Sequence, residues 1–282
     1  MPDADADNSR PDEPGAPDPG VAAPHPAQAG PQGPDVDEAE SADEPEPAEE
    51  PEPAIQAHAL GLHLRTGWVF RHVTLTAHPG DAIEVVGSGG TGRSMLLLAL
   101  VGRARHSTGG LTVLGHPVPT GRVGAAQARR VRRRTSVAQV GPPIELEGQQ
   151  RVREAAAERR RWDHAHRRED VRTLAYDEAA ALVGLAVDPH ELVDELAAVD
   201  RTLLAVALAL AAPHEVLVVD DVDHGLSEAE HRRVGDALAD VAATGVVVVS
   251  AATRPSGAER ARVLDMPIHD AVHAAAQVRE VR

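Results

Sequence analysis

One segment, residues 82–100, constrains the fold more than any other part of the chain. It consists of an apolar strand, a glycine-rich loop and an apolar helix in succession. Residues 87–94, Gly-Ser-Gly-Gly-Thr-Gly-Arg-Ser, match the phosphate-loop pattern Gly-x-x-x-x-Gly-Lys-Ser/Thr at every fixed position except one, where Arg93 replaces lysine. Such a loop directs backbone N–H groups and the positive end of a helix at an anion. The segment predicts a nucleotide phosphate site; the alternative is a strand-to-helix turn without a ligand.

Each position of this loop has an expected role. The backbone N–H groups and Arg93 would surround the phosphates, with a planar guanidinium in place of a compact ammonium. Ser94 would place its hydroxyl on a magnesium ion that bridges two phosphates. The predicted phosphate-binding residues are Gly87, Ser88, Gly89, Gly90, Thr91, Gly92, Arg93 and Ser94.

The charge of the chain is concentrated at its N-terminus. Residues 1–54 contain 16 acidic residues, one arginine and 13 of the 22 prolines, so this segment carries −15 of the formal charge of −16. A segment this polar and proline-rich buries too little apolar surface to offset its chain entropy, which predicts a disordered acidic tail. Residues 55–282 are long enough to form one sizeable domain.

The composition disfavours several classes of protein. The chain has no cysteine, which excludes disulfides and thiolate chemistry. No apolar run reaches the length of a transmembrane helix and no signal-peptide pattern opens the chain, so we expect a cytoplasmic protein. His269 and His273 are one helical turn apart without a third ligand, which favours a surface helix over a zinc site.

Strand and helix signals alternate in the folded part, which is typical of a largely parallel α/β sheet covered by helices. Two wholly apolar runs, at 216–219 and 246–249, are expected to be central strands buried on both faces. A helical stretch is predicted from about residue 151 to 185, and a buried apolar helix at 202–211.

A second part of the predicted site follows the strand at 216–219. Asp220 and Asp221 come directly after it, at the carboxyl end of a strand, where an open parallel sheet binds its ligand. In phosphate-loop enzymes the first carboxylate supports the magnesium ion, and in some of them the second activates water. We therefore predict Asp220 as a magnesium ligand and Asp221 as the catalytic residue.

Further motifs surround these two. The pair Gly80-Asp81 precedes the strand of the phosphate loop, a helix, turn and strand occupy 205–222, and His224-Gly-Leu-Ser227 follows the aspartates. In this order the chain resembles the ATP-binding cassette (ABC) ATPases over roughly residues 56–268, and the resemblance implies that residues 63–79 form the two opening strands of the family. The Gly-Arg-Ser sequence resembles, more narrowly, cassette proteins of GC-rich actinobacteria.

The resemblance implies a fold, cofactors and partners. The fold is a P-loop NTPase of the α/β class, an ABC-type nucleotide-binding domain with a mixed or parallel sheet and a helical subdomain at about 145–212. The cofactors are ATP and Mg²⁺. The partners are a membrane permease-type subunit and a second cassette domain, in a homodimer or a heterodimer.

The family pattern is broken at several positions. The signature Leu-Ser-Gly-Gly-Gln falls on residues 196–200, Leu-Ala-Ala-Val-Asp, which lack the hydroxyl and glycines that contact the nucleotide of a facing subunit. The switch histidine falls on Ala251, and the catalytic glutamate on Asp221, which is one methylene shorter. The glutamine that serves magnesium and water falls within one position of Gln139, whereas an ungapped count selects Val140.

Two features have two interpretations each. Trp68 is expected either to stack on adenine or to pack at the start of a strand. The arginines at 129–134 and 151–172 are expected on solvated helix faces rather than in a nucleic-acid site, because acidic residues interleave the second group and aromatic residues are nearly absent.

The sequence supports two functions. The first is a cytoplasmic cassette, peripheral at the inner face of the membrane, that binds Mg-ATP and serves a membrane partner, with ATP hydrolysis that is weak or partner-dependent. The alternative is a non-catalytic cassette that acts as a nucleotide-responsive scaffold or regulatory subunit. The retained loop and aspartates favour the first; the lost histidine and signature glycines favour the second. An ATPase of another P-loop family fits less well, because the match at 205–227 is specific in length and order.

Overall fold

The computed structural model describes residues 52–121, 126–141, 144–166, 173–266 and 278–280. Most of the predicted acidic tail and the pair His269 and His273 lie outside the described residues. The strands, in chain order, are β1 Ile55–Leu64, β2 Gly67–Ala77, β3 Ala82–Val86, β4 Thr108–Val113, β5 His116–Pro117, β6 Thr135–Gln139, β7 Val216–Val219, β8 Val247–Ala252, β9 Ala261–Asp265 and β10 Val278–Glu280. The helices are α1 Arg93–Leu100, α2 Ala126–Arg132, α3 Val152–His166, α4 Tyr176–Leu182, α5 Ala198–Leu210 and α6 Glu228–Ala243. Within the described part, none of the helices combines the length and the apolar character needed to cross a bilayer.

The strand that leads into the phosphate loop lies inside a mostly parallel sheet. Its described strands have the order β10-β9-β3-β8-β7-β6. β3 pairs in parallel with β8 and β9, and β7 pairs in parallel with β8 and β6, whereas β10 runs antiparallel to β9. Parallel pairing brings the carboxyl ends of strands to one edge. The phosphate loop, Gln139, the aspartate pair and the end of β8 therefore share that edge.

A second sheet is antiparallel, with the order β2-β1-β4-β5 among the described strands. The alternation of strands and helices did not predict this sheet; only the resemblance implied two opening strands, at 63–79. The structure places β1 earlier, from Ile55, because Ile55, Ala57 and Leu60 are buried on the core side of the pair with β2.

The parallel sheet is covered on both faces by apolar residues. In β7, Leu217 and Val219 belong to the cluster that contains α5 and α6, whereas Val216 and Val218 belong to the cluster that contains α1 and the antiparallel sheet. Since side chains alternate along a strand, one continuous apolar run supplies both layers. The expectation of a central strand buried on both faces is confirmed for β7.

The predicted helical stretch at 151–185 forms two helices, α3 and α4. Residues 173–175 are not helical, and the Leu174 N–H donates to the Leu210 carbonyl oxygen at 3.0 Å. A new helix begins at Tyr176 because Glu178 accepts the Ala175 N–H at 3.0 Å, which caps its first turn. The buried helix also begins earlier than predicted, at Ala198. These helices lie within 145–212, and their grouping as a helical subdomain stays a prediction.

One charged residue lies inside the apolar strand β3. Glu84 is 3% exposed, and both of its carboxylate oxygens accept the Ser256 N–H at 3.0 Å, while the Ser256 hydroxyl donates to Oε2 at 3.2 Å. His231 of α6 places Nε2 3.3 Å from Oε1 without an aligned hydrogen bond. Glu84, His231 and Ser256 form the Glu84 network. This network connects α6 and the loop after β8 to β3, the strand that precedes the phosphate loop.

We expect Glu84→Ala to lower the free energy of unfolding by about 3–5 kcal/mol, because it leaves the buried partners of a charged network without their acceptor. Urea denaturation measures the loss. The matched control is Glu215→Ala, which removes a partly exposed carboxylate paired with Arg134 and should cost no more than about 1 kcal/mol. A loss of about 1 kcal/mol or less for both variants would show that the Glu84 network contributes no more than a surface ion pair.

Candidate functional site

The phosphate loop follows β3 and ends where α1 begins at Arg93. Gly92 has a φ of 84°, and a Cβ on it would lie 2.2 Å from the Val69 carbonyl oxygen, so only glycine fits this position. Among the described residues no side chain caps the N-terminus of α1, and the first turn of this helix contains no acidic residue. The N–H groups of this turn thus remain available to an anion, as a phosphate site requires.

Asp220 lies at the carboxyl end of β7 and is 1% exposed. Its Oδ1 accepts the Asp221 N–H at 2.9 Å, whereas Oδ2 is buried and has no hydrogen-bond partner among the described residues. Burial raises the pKa of Asp220 and the Asp221 carboxylate adds to the rise, while the neighbouring Ser94 hydroxyl, the Asp221 N–H and Arg93 oppose it. Ser94 is thus the hydroxyl donor beside Asp220, although it does not form an aligned hydrogen bond with Oδ2.

Gln139 lies at the end of β6 and contacts the backbone of Asp220. Its side-chain Nε2 donates to the Asp220 carbonyl oxygen at 3.1 Å, and its own carbonyl oxygen accepts the Asp220 N–H at 2.9 Å. Val140, the alternative for the magnesium-and-water position, is 1% exposed and pairs through its backbone with Ile144. The geometry thus favours Gln139, because an apolar buried side chain offers magnesium no oxygen.

These residues fit a magnesium ion. Mg²⁺ in nucleotide sites is held by one or two protein oxygens together with phosphate oxygens and water. The Oδ2 atom of Asp220 is a buried carboxylate oxygen that lacks a hydrogen-bond partner among the described residues. The Ser94 hydroxyl lies beside this carboxylate, and the Gln139 side-chain amide lies against the Asp220 backbone. A bound cation would compensate for the burial of the Asp220 charge.

Arg93 and Asp221 meet across the site. The Arg93 Nη2 atom lies 3.4 Å from the Asp221 Oδ1 atom, and the side chains are 9% and 48% exposed. The second guanidinium nitrogen, Nη1, is buried without a hydrogen-bond partner among the described residues. Asp221 has a φ of 48°, in the left-handed region that aspartate tolerates better than most residues. Sequence reasoning missed this ion pair; its signal was the joint departure from the family at both positions, with a longer cation and a shorter carboxylate.

The other two positions that differ from the family pattern are the switch-histidine position and the signature segment. Ala251 lies within β8 and is fully buried, and its carbonyl oxygen accepts the Val222 N–H at 3.0 Å. The segment 196–200 spans the start of α5: Ala197 is the N-cap, without a side-chain hydrogen bond, and residues 198–200 form the first turn. Neither alanine has a polar side chain that can bind a phosphate.

A contact that the sequence did not reveal fixes the loop after β8. Asp223 accepts hydrogen bonds from the Thr253 N–H, at 2.9 Å, and from the Thr253 hydroxyl. Burial alone would raise the pKa of Asp223, but the two Thr253 hydrogen bonds and His231 outweigh it and lower the pKa. Asp223, a third acidic residue after the aspartate pair, was the one sign of this contact in the sequence. Nothing in the sequence around residue 253 indicated that Thr253 is its partner.

Trp68 lies at the start of β2 and is 36% exposed. Its ring meets that of His63 edge-on, with the ring centroids 4.9 Å apart. The next residue, Val69, packs against Gly92 at the end of the phosphate loop. Trp68 is thus the neighbour, along β2, of a residue that contacts the phosphate loop, and part of its side chain is exposed to solvent.

The fold and the site define a P-loop nucleotide-binding protein. The family model described as ABC transporter matches residues 70–223, more than half of the chain. The chain therefore belongs to the ABC transporter family, and its cofactors are ATP and Mg²⁺.

Individual relatives agree with this family. A putative ABC transporter ATP-binding protein of Streptomyces coelicolor is 32% identical over 186 residues, which are 64% of this chain and 30% of that protein. The cytochrome c biogenesis ATP-binding export protein CcmA of Agrobacterium fabrum is 25% identical over 75% of this chain and 94% of its own length. A putative peptide import ATP-binding protein of Brucella abortus is 29% identical over 60% of this chain and 50% of its own length. The chain thus spans half or less of the first and third of these relatives.

Solved structures support the fold. A dimeric bacterial ABC transporter cassette superposes with a TM-score of 0.62 at 13% identity, over 81% of this chain and 99% of its own. A dimeric cassette in a post-hydrolysis state bound to ADP and Pi gives a TM-score of 0.61 at 14% identity, over the same shares. At these identities the likeness establishes the P-loop ABC architecture alone.

The magnesium site makes a prediction about stability and pH. Because the pKa of Asp220 is raised in the folded chain, the nucleotide-free protein loses stability as the pH rises from the unfolded pKa through the folded pKa. Asp220→Asn removes this charge and should raise the free energy of unfolding near neutral pH by about 1 kcal/mol. It should also weaken the pH dependence and abolish the extra stabilisation that Mg²⁺ gives with nucleotide.

Urea denaturation with and without Mg-ATP, at about pH 4 and about pH 8, measures these effects. Ser227→Ala, which removes the N-cap of α6, is the control and should lose stability equally with and without Mg-ATP. An Asp220→Asn protein that keeps the full stabilisation by magnesium would contradict the site.

Proposed function

We propose that the chain binds Mg-ATP on the cytoplasmic side of a membrane and serves a membrane transport subunit, with ATP hydrolysis that is weak or depends on that partner. The observation that carries this proposal is the arrangement at the carboxyl edge of the parallel sheet. There the N-terminus of α1, the buried Arg93 and the Oδ2 atom of Asp220 lie together, and neither the helix N-terminus nor Oδ2 has a side-chain partner among the described residues. The relatives that are named as import or export ATP-binding proteins support the transport role.

The residues at this edge of the parallel sheet would have separate roles. The N–H groups of the loop Gly87–Gly92 and the Arg93 guanidinium would hold the phosphates, because both offer donors to anionic oxygens. Ser94, Asp220 and Gln139 would hold Mg²⁺, which neutralises phosphate charge when it is bound. Asp221, the catalytic candidate, would orient the attacking water.

Two features limit this chemistry. The carboxylate of Asp221 is one methylene shorter than that of glutamate, and it is engaged by Arg93 at 3.4 Å. Ala251 offers no polar side chain at the end of β8, and residues 197–199 offer neither a hydroxyl nor glycine backbone to a facing nucleotide. Slow turnover, or turnover that needs a second protein to complete the site, follows from these deficits.

The proposed partners are a membrane permease-type subunit and a second cassette domain. Many ABC ATP-binding subunits pair with permeases, and both solved cassettes reported above are dimers. Attachment at the inner face of the membrane would then be peripheral. We do not propose a nucleic-acid partner.

The second candidate is a non-catalytic cassette that uses bound nucleotide as a signal. It is favoured by the ion pair between Arg93 and Asp221, which engages the only candidate for a water-orienting group in the described site, and by the alanine at position 251. It requires nucleotide binding but no turnover.

Phosphate release by the purified full chain with Mg-ATP separates the two candidates. We expect slow turnover, which Asp221→Asn lowers by at least about tenfold because a water-orienting carboxylate is lost, while ATP binding persists. Asp240→Asn, which removes a carboxylate of similar exposure from the remote pair with Arg260, is the control and should leave turnover unchanged.

Each outcome decides one point. Turnover that Asp221→Asn abolishes rules out the scaffold, whereas ATP binding without turnover, alone and with a co-purified membrane subunit, rules out the enzyme. An unchanged ATP affinity in Arg93→Ala would contradict the assignment of the phosphate site.

The assignment of Trp68 predicts a base-specific effect. Trp68→Ala should weaken ATP binding by about tenfold, the scale of one base–aromatic stack, and Trp68→Phe should restore most of the affinity. Equilibrium titration measures both, with inorganic tripolyphosphate as the ligand without a base. An equal loss of affinity for ATP and for tripolyphosphate would instead indicate that Trp68 only packs against the loop.

A further inference from the structure

Arg93 is a buried cation that requires a counter-charge. Its side chain is 9% exposed, and a guanidinium removed from water is stable only when an anion or several acceptors face it. Asp221 supplies the anion that contacts it, at 3.4 Å and through one oxygen. The second carboxylate of the site, Asp220, is within electrostatic range of both residues.

This pairing leaves the guanidinium incompletely satisfied. Nη1 is buried without a hydrogen-bond partner among the described residues, and Nη2 has only a long contact with Asp221. A phosphate group presents several anionic oxygens and can accept two parallel N–H bonds from one guanidinium. A terminal phosphate is therefore a better acceptor for Arg93 than the single oxygen of Asp221.

The cost of releasing Asp221 is small. Its side chain is 48% exposed, so water can replace the guanidinium around its carboxylate. Arg93, in contrast, is only 9% exposed, so its guanidinium depends more strongly on whichever anion is present. After separation, water can therefore solvate the Asp221 carboxylate far more readily than the Arg93 guanidinium.

We infer that Asp221 is the resting counter-ion of Arg93 and that the terminal phosphate of the nucleotide replaces it. This inference rests on the proposed function, since it requires nucleotide at this edge. The pairing gives Arg93 a counter-charge in the nucleotide-free site, and the exchange frees the Asp221 carboxylate only when a phosphate has arrived. The Asp221 carboxylate is thus paired with Arg93 when the site is empty, and it is available to orient water when nucleotide is bound.

The test is a double-mutant cycle on Arg93→Ala and Asp221→Asn in the full chain, with Asp221→Ala as a second variant that cannot hydrogen-bond. Thermal unfolding without ligand reports the resting pair, and titration with Mg²⁺ and a non-hydrolysable ATP analogue reports the exchange. Asp240→Asn is matched to Asp221→Asn in exposure, but its partner Arg260 is 59% exposed rather than 9%.

In the chain that keeps Arg93, loss of the Asp221 charge should lower Tm by about 2–4 °C, because the buried guanidinium loses its anion. The same change should tighten binding of the analogue by about fivefold, since the phosphate no longer competes. In the Arg93→Ala chain both effects should vanish, and Asp240→Asn should show neither.

Two results would overturn the inference. Tightening of equal size in the Arg93→Ala chain would mean that Asp221 acts on the phosphate directly, and weaker binding in Asp221→Asn and Asp221→Ala would mean that Asp221 positions Arg93 for phosphate. A chain that binds no nucleotide in any variant would instead reject the proposed function, which the titration of the unmodified protein shows on its own.

Discussion

Parallel pairing of β3 with β8, and of β8 with β7, is the constraint on which the site depends. It brings the phosphate loop, the aspartate pair and the end of β8 to one edge, although these segments are far apart in the sequence. The pairing is stable because β7 and its neighbours bury apolar side chains on both faces. Any change that shifts this register would move Asp220 away from Ser94.

The parts of the site that sequence reasoning predicted are those fixed by local rules. Glycines at set spacing, a strand before them and a helix after them specify the loop, and an apolar run that ends in Asp220 specifies the second edge element. The contact between Arg93 and Asp221 was not predictable in this way, because it joins residues 128 positions apart whose side chains meet only after the sheet forms. The same holds for Thr253, whose partner Asp223 lies on a different strand connection.

The fold was predicted more completely than its boundaries. Period and composition indicated the strands β3, β7 and β8 and the buried helix α5, but not the antiparallel sheet, since half-buried strands with bulges give a weak pattern. The break between α3 and α4 depends on a capping contact of Glu178, which the average composition of a helical stretch does not reveal. Glu84 was visible as one charge in an apolar strand, yet its partners lie on α6 and on the loop after β8.

The loop after β8 is held from two sides, by Ser256 on Glu84 and by Thr253 on Asp223. Both anchors are buried carboxylates of the protein itself, so the shape of this loop is set before any nucleotide arrives. A loop that is already ordered loses little entropy when a ligand binds, and it also has little freedom to report that ligand to a distant surface. The loop after β8 therefore forms a rigid side of the site. A conformational change that reports nucleotide binding to a partner has to involve another element.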